Sequence, residues 1–272
     1  MVRLPAVAGR FYPGDARTLT STVESFLDET LPKTRALGIV VPHAGYMYSG
    51  AVAGAVYSRT QLPSRSIVLC PNHTGRGKPL AIMREGAWRT PLGDLPIDTE
   101  MCDALMEADP NLEDDAAAHE YEHALEVQLP FLQHLQGPAH RFVPIVIGTL
   151  NWDALAALGK AIAETIVKVD RSALIIASSD MNHYESDAIT RTKDSRAIDQ
   201  ILKRDPRGLL QTVRDERISM CGAGPVTSML VAGNILRASK TELVRYATSA
   251  ETSGDFDRVV GYAGITLAGS AD

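Results

Sequence analysis

The sequence predicts a single-domain α/β protein whose mostly parallel or mixed central sheet is flanked by helices on both faces. Short, continuous apolar runs rich in Val and Ile recur along the chain and are bounded by turn residues, which is typical of buried strands. Longer segments with helical periodicity separate these runs. Because no Pro-, Gly- or Ser-rich linker divides the 272 residues, we expect one domain over residues 1–272.

The first part of the chain carries recognisable helix starts and stops. A helix is expected from the candidate N-cap Asp15 to about residue 29, since an Asp side chain can accept hydrogen bonds from free N–H groups of the first turn. Thr99 is the expected cap of the next helix. Another helix is predicted over 117–128, with Pro130 as its kink or stop. The other elements predicted here are strands at 36–43 and 66–73, a helix at 50–57, and an antiparallel excursion at 80–88 and 94–98.

The second part of the chain continues the alternation. Residues 152–168 show a clear amphipathic pattern, which predicts a helix with one buried face. Pro225 is expected to open an apolar helix to about Leu236, since its missing N–H would be unpaired at the first helical position anyway. The remaining predicted elements are strands at 141–148, 173–180, 242–250 and 259–269, and polar helices near 187–203 and 206–214.

Composition and charge exclude several classes of function. A net charge of −6 argues against a general nucleic-acid binder, which needs a basic face. No apolar run approaches the roughly 20 residues that span a bilayer, so we expect no membrane partner. Three scattered cysteines and an N-terminus without a signal-peptide apolar region favour the cytoplasm. Serine-hydrolase and nucleotide-binding motifs (GxSxG, GxxxxGK[ST], and GxGxxG after a strand) are absent from the sequence.

Three predicted strands end in the same way, with a chemically capable side chain just after the apolar run. His43 follows one strand, His73 follows another, and Asp180 with His183 follows a third. A single histidine in such a place is more often a core or surface residue. In an open α/β sheet, however, ligands bind beyond the carboxyl ends of the strands, where these side chains would meet. With Cys221 they predict one metal-binding pocket.

Cys221 lies just before the helix that Pro225 opens. A helix N-terminus favours the thiolate, the form that binds metal or attacks an electrophile. The alternative is a small buried cysteine in a Gly-rich connection. Cys70 and Cys102 are expected to be structural, because they lie inside a strand and an amphipathic helix.

A second histidine pattern points to another class of enzyme. His119, Glu120 and His123 match the HExxH pattern of zinc metalloproteases. Such enzymes need a third ligand, and the chain continues into Pro130 and a strand without an acidic residue at a suitable spacing. We interpret the pattern as a chance match, while His123 and Glu126 remain candidates to face the pocket from a neighbouring helix.

Several ordered segments along nearly the whole chain form a set of motifs: RLPAVAGRFYP at 3–13, PHAGYMYSG at 42–50, PNH at 71–73, EHALEVQLPF at 122–131, SSDMNHY at 178–184 and CG at 221–222. With these segments the sequence resembles the Memo family, protein B of the AmmeMemoRadiSam system. That family is similar in fold to the class III extradiol dioxygenases, which cleave catechol rings at a non-haem Fe(II).

The resemblance implies roles for the strand-end residues. His43 and His73 would be metal ligands, and Cys221 would occupy the place of the dioxygenase carboxylate ligand. His183 would match the acid/base histidine, with Asp180 beside it. Exchanging a carboxylate for a thiolate softens the site, which favours iron or copper, with zinc as a further option.

The resemblance also implies partners and a wider pocket. Bacterial and archaeal members are associated with a radical SAM protein and an AMMECR-type protein, and a small-molecule substrate is expected. The weaker pocket candidates are His123, Glu126, Asn72 and Tyr46.

Three functional hypotheses follow from these residues and from the resemblance, and the third is implied by the resemblance alone. In the first, the pocket holds iron or copper for redox or dioxygenase-related chemistry, with His183 as acid/base and Asp180 orienting His183 or a bound water. In the second, Cys221 is the nucleophile of a metal-free enzyme, with His183 or His43 as its base. In the third, the protein is a peptide-binding adaptor with a vestigial pocket.

Overall fold

The fold is described from a computed structural model of residues 1–269. Its strands are β1 (Val2–Arg3), β2 (Gly38–Val41), β3 (Arg65–Pro71), β4 (Leu80–Ile82), β5 (Ala87–Thr90), β6 (Gly93–Pro96), β7 (Glu113–Asp114), β8 (Arg141–Ile147), β9 (Leu174–Ser178), β10 (His183–Glu185), β11 (Ala238–Thr248) and β12 (Val259–Gly269). Its helices are α1 (Ala16–Phe26), α2 (Tyr46–Arg59), α3 (Thr99–Ala108), α4 (His123–Glu126), α5 (Leu129–Gln136), α6 (Trp152–Lys168), α7 (Asp187–Leu202), α8 (Pro206–Asp215), α9 (Ala223–Ile235) and α10 (Ala250–Ser253).

A mixed central sheet forms the core of the molecule. Its strand order is β10-β12-β2-β9-β3-β8-β4-β7, and β11 pairs with β12 beside this path. The four strands β2, β9, β3 and β8 are parallel neighbours. β12 and β4 run antiparallel to β2 and β8 on either side of them. The structure thus confirms the predicted α/β class with a mixed sheet.

Helices cover both faces of this sheet. Gly38 and Leu267 are paired in register on neighbouring strands, and both lie against α9. Gly264, three residues before Leu267 on the same strand, faces Val52 and Val56 of α2. Because side chains alternate along a strand, α2 and α9 pack on opposite faces.

The antiparallel excursion divides between two sheets. β4 joins the central sheet beside β8. β5 and β6 form a hairpin that pairs with β1 in a separate three-stranded sheet, where the buried Trp88 packs against the Arg3 guanidinium. The N-terminal segment is therefore built into the fold through this small sheet.

Three details of the predicted helices were wrong. The helix that Pro225 was expected to open begins two residues earlier, at Ala223. The helix expected over 117–128 is instead a 3₁₀ turn at Ala116–Ala118 followed by the four-residue helix α4, and Pro130 lies in the first turn of α5 instead of ending a helix. Proline is well suited to that position, because the first-turn N–H groups have no partner inside the helix. The cap of α3 is Asp98, whose side chain accepts from the Met101 N–H, and Thr99 is its first residue. None of the helices within residues 1–269 has the length and hydropathy that a bilayer crossing needs.

A tight helix contact gives a prediction that helix propensity alone would get wrong. A Cβ at Gly54 would lie 2.2 Å from the Phe26 carbonyl oxygen. Propensity favours Ala over Gly by about 1 kcal/mol inside a helix. We expect Gly54→Ala to lower the free energy of unfolding by about 1–3 kcal/mol, because α1 must shift to make room. Urea denaturation checks this, and a variant more stable than wild type would contradict it.

A buried histidine gives a pH dependence of stability. His140 hydrogen-bonds Ser66 Oγ through Nε2, and burial lowers its pKa from 6.5 to about 4. As the pH falls between these two pKa values, the His140 imidazole of the unfolded chain becomes protonated, whereas that of the folded chain stays neutral. The free energy of unfolding therefore falls with pH over this range, and this residue contributes roughly 3 kcal/mol to the fall. We expect His140→Gln to flatten the fall in unfolding free energy between these pH values. If the free energy of unfolding falls equally with pH in wild type and variant, His140 contributes nothing to the pH dependence of stability.

Candidate metal centre

The carboxyl ends of three parallel strands meet as the sequence predicts. Val41 of β2 is paired in register with Ser178 of β9, and β3 lies on the other side of β9. Two residues beyond that pair, Oδ1 of Asp180 accepts from the His43 N–H at 2.8 Å and from the Ala44 N–H at 3.3 Å. The two loops are thereby joined directly above the sheet edge.

Three imidazoles lie together above this edge. Among residues 1–269, His43, His73 and His123 offer ligand atoms that are all within 4.8 Å of one another. Their ring centroids are 5.1 Å apart for His43 and His73, 5.5 Å for His43 and His123, and 4.6 Å for His73 and His123. His43 is buried, whereas the other two rings are partly accessible from solvent. This histidine triad can bind a metal ion.

His43 has a different partner on each ring nitrogen. Nδ1 lies 2.9 Å from Ser178 Oγ, behind the pocket. Nε2 faces the Cys221 Sγ at 3.2 Å and the second Asp180 oxygen at 4.0 Å. The edge of the ring that bears Nε2 is therefore the one that lies among the other polar groups of the site.

A buried carboxylate, Glu122, supports the other two imidazoles. It accepts from the His73 backbone N–H at 2.6 Å and lies 2.9 Å from the Nδ1 of the same residue. The same carboxylate lies 3.4 Å from the Nδ1 of His123. Sequence reasoning missed Glu122, although it directly precedes His123 in the EHALE segment. A carboxylate on the far nitrogen is the usual device that fixes the ring of a ligating histidine.

The site's electrostatics favour neutral imidazoles at His43 and His123. Burial lowers the pKa of His43 well below its usual value, and the neighbouring histidines lower it further. Burial also lowers the pKa of His123 to about 4. Burial acts in the same direction on His73, but its hydrogen bond to Glu122 and the charges of Glu122 and Asp180 together outweigh burial and raise the pKa. Asp180 is buried, which raises its pKa to about 7 against the hydrogen bonds from His43 and Ala44.

Cys221 lies in the turn before α9, beside the triad. Its Sγ accepts from the Asp180 backbone N–H at 3.3 Å and contacts His43. The expectation that the helix N-terminus favours a thiolate is not met in the metal-free protein, since burial and the nearby Asp180 raise the pKa of the Cys221 thiol. A cation next to the sulfur would reverse that preference.

His183 is held by the loop that carries Cys221 and not, as one hypothesis expected, by the Asp180 carboxylate, which binds the His43 and Ala44 N–H groups instead. Its Nδ1 lies 3.0 Å from the Ser219 carbonyl oxygen, and its backbone N–H donates to Ser219 Oγ at 2.7 Å. The buried Asn182 accepts from both the N–H and the hydroxyl of Ser219. Burial lowers the pKa of His183, so its Nε2 is available as a proton acceptor near neutral pH.

The weaker pocket candidates mostly serve the scaffold. Tyr46 is buried and donates its hydroxyl to the Val127 carbonyl. The Asn72 side chain shapes the turn after β3 by accepting from the Gly75 N–H and donating to the Arg76 carbonyl.

Glu126 requires a correction, because its carboxylate faces the N-terminal segment and not the pocket. Both of its oxygens are taken up there, by Arg3, the Ala6 and Val7 N–H groups and the Tyr12 hydroxyl.

The HExxH match does not form a site. His119 is buried, with Nδ1 near the Asp115 carbonyl at 2.9 Å and Nε2 near the Pro144 carbonyl at 3.3 Å. It precedes α4, whereas His123 is the first residue of that helix. The two rings are therefore not one turn apart on a helix, and the metalloprotease interpretation stays excluded.

Fold and site together define an α/β protein with a histidine-rich centre, capable of binding a metal ion, at the carboxyl edge of its sheet. A family model described as Memo-like protein matches residues 3–266. The MEMO1 family protein of Methanopyrus kandleri is 42% identical, over 98% of this chain and 99% of its own. Those of Methanosarcina mazei and Methanothermobacter thermautotrophicus are 40% and 38% identical, over 98% of this chain and 99% and 100% of their own. The chain belongs to the Memo-like family.

The contacts of Glu126 predict a structural role. We expect Glu126→Ala to lower the free energy of unfolding by about 3–5 kcal/mol, because it leaves the buried Arg3 guanidinium without its carboxylate. The matched control is Asp94→Ala, which breaks the exposed pair with Arg89 and should cost about 0–1 kcal/mol. Equal losses in urea denaturation of the two variants would contradict the anchoring role.

Proposed function

We propose that this protein binds iron or copper (zinc being a further option) between its clustered histidines and uses it in redox or dioxygenase-related chemistry on a small molecule. One observation carries the proposal. Each of the three rings has an oxygen atom beside its Nδ1, namely Ser178 Oγ for His43 and the Glu122 carboxylate for His73 and His123. Rings held in this way keep their Nε2 lone pairs for a cation.

The ligand set combines imidazoles with a sulfur. We assign His43, His73 and His123 as nitrogen ligands and Cys221 as the sulfur ligand. The 3.2 Å between Cys221 Sγ and His43 Nε2 is close to the separation of two ligands on one ion, about 3.5 Å for tetrahedral bond lengths. Imidazole and thiolate donors suit copper, iron and zinc and are poor ligands for magnesium or calcium.

The residues beside the metal ligands supply proton chemistry. A bound iron or copper ion would contribute a redox couple and a Lewis acid at the triad. His183, with its Nδ1 directed to the Ser219 carbonyl, presents Nε2 as the group that takes a proton from a substrate or returns it. Asp180 holds the His43 loop in place through two backbone N–H groups.

The metal-free cysteine enzyme has less support. Such an enzyme needs a thiolate nucleophile, and burial raises the pKa of the Cys221 thiol.

Partners and location extend the proposal. We propose a radical SAM protein and an AMMECR-type protein as partners, which is what the resemblance to the family implies. We propose the cytoplasm as the compartment, since all three cysteines are free thiols, which fits a reducing environment.

Metal titration tests the ligand set. We expect His43→Ala and His73→Ala to weaken cobalt(II) binding by more than about 100-fold, because losing even an outer partner of a ligand costs 10–100-fold. Cys221→Ser should remove the sulfur-to-cobalt charge-transfer band while leaving imidazole coordination. His123→Gln should weaken binding and keep that band.

The control is His134→Ala, a histidine on α5 outside the cluster, which should bind cobalt(II) as wild type does. If native protein purified without oxygen contains no metal, and the His43, His73 double variant titrates as wild type does, the proposed function is wrong.

A further inference from the structure

A fully buried polar network lies behind His43, on the side away from the pocket. Its centre is Ser178, the last residue of β9, with no exposed surface. Ser178 Oγ lies 2.9 Å from His43 Nδ1, 3.0 Å from Gln128 Nε2 and 2.7 Å from the Ala124 carbonyl oxygen. Three polar groups from three different elements thus converge on one hydroxyl.

The orientation of the Gln128 amide is fixed by its other contacts. Its Nε2 also lies 2.9 Å from the Pro42 carbonyl oxygen, which can only accept. Its Oε1 lies 3.1 Å from the Tyr57 hydroxyl. The amide nitrogen therefore faces Ser178 as a donor.

The protons around Ser178 can then be counted. The Ala124 carbonyl can only accept, so it takes the single hydroxyl proton. Gln128 donates to one lone pair of the oxygen. The remaining lone pair faces His43 Nδ1, which must therefore carry a proton, since a bare ring nitrogen against it would leave two lone pairs in contact without a proton.

We propose that Ser178 is a positioning residue that locks His43 in the tautomer protonated on Nδ1, so that Nε2 keeps a lone pair free to bind a cation. In the other tautomer the Nε2 proton would point at the Cys221 sulfur 3.2 Å away and would occupy the place of the cation. This preference for one tautomer, the lock, is a property of the protein without bound metal. Only its expected effect on metal affinity rests on the proposed function.

Nitrogen NMR of the metal-free protein, labelled with ¹⁵N at histidine, tests the lock directly. Long-range ¹H–¹⁵N correlations distinguish protonated from bare ring nitrogens, and a His43→Gln sample identifies the His43 signals. We expect protonated Nδ1 and bare Nε2 in wild type. A His43 ring protonated on Nε2 alone would overturn the proposal.

Variants of Ser178 test whether this residue sets the His43 tautomer and thereby the affinity for metal. Ser178→Ala should move the His43 proton towards Nε2 and weaken cobalt(II) binding about 10–100-fold. Ser178→Thr, which restores a hydroxyl, should recover both properties, a rescue that loss of packing alone would not give. The matched control is Ser66→Ala, which removes a buried hydroxyl 2.9 Å from the His140 Nε2 and should leave both the His43 tautomer and cobalt(II) affinity as in wild type.

Failure of the lock and failure of the proposed function give different results. If wild type binds no cobalt(II), the metal proposal fails while the wild-type NMR spectrum still decides the tautomer. If Ser178→Ala keeps both the wild-type tautomer and the wild-type affinity, the lock is wrong and the metal site stands. If Ser178→Ala does not fold, the wild-type spectrum and the Ser178→Thr protein decide.

Discussion

The parallel pairing of β2, β9 and β3 is the constraint on which the site depends. Register places Val41 beside Ser178, so the residues two positions further along each strand, His43 and Asp180, arrive side by side. β3 lies on the other side of β9 and delivers His73 to the same edge. Because a one-residue slip would turn every side chain to the opposite face, the buried register also fixes which residues reach the pocket.

Polar groups behind the site set the direction of its side chains. Ser178 and Glu122, which are both buried, lie behind three imidazoles, and the carbonyl of the exposed Ser219 lies behind a fourth, His183. Burying Ser178 and Glu122 costs free energy unless each finds a partner, and here each does. The arrangement fixes the orientation of each ring before any ligand binds, which reduces the entropy that binding must overcome.

The N-terminal segment supports the elements that carry the site. Arg3 and Tyr12 bind Glu126 of α4, the short helix that begins with His123, and Arg3 also donates to the Glu122 carbonyl. Phe11 packs edge-on against the His123 ring, with centroids 4.8 Å apart. A helix of four residues has little stability of its own, so these tertiary contacts hold it in place.

The sequence by itself determined the α/β class, most of the helices and strands, and the meeting of His43, His73 and Asp180. These follow from local patterns, since apolar runs specify buried strands and parallel strands end at one edge. Tertiary structure decided what local patterns do not encode. In the fold, the segment expected to form a helix at 117–128 is a turn and a short helix, and Glu126 faces the N-terminal segment. Glu122 and Ser178 lie behind the histidines. The physical reason is that the partners of a buried polar group come from distant parts of the chain, and only the packed fold brings them within hydrogen-bonding distance.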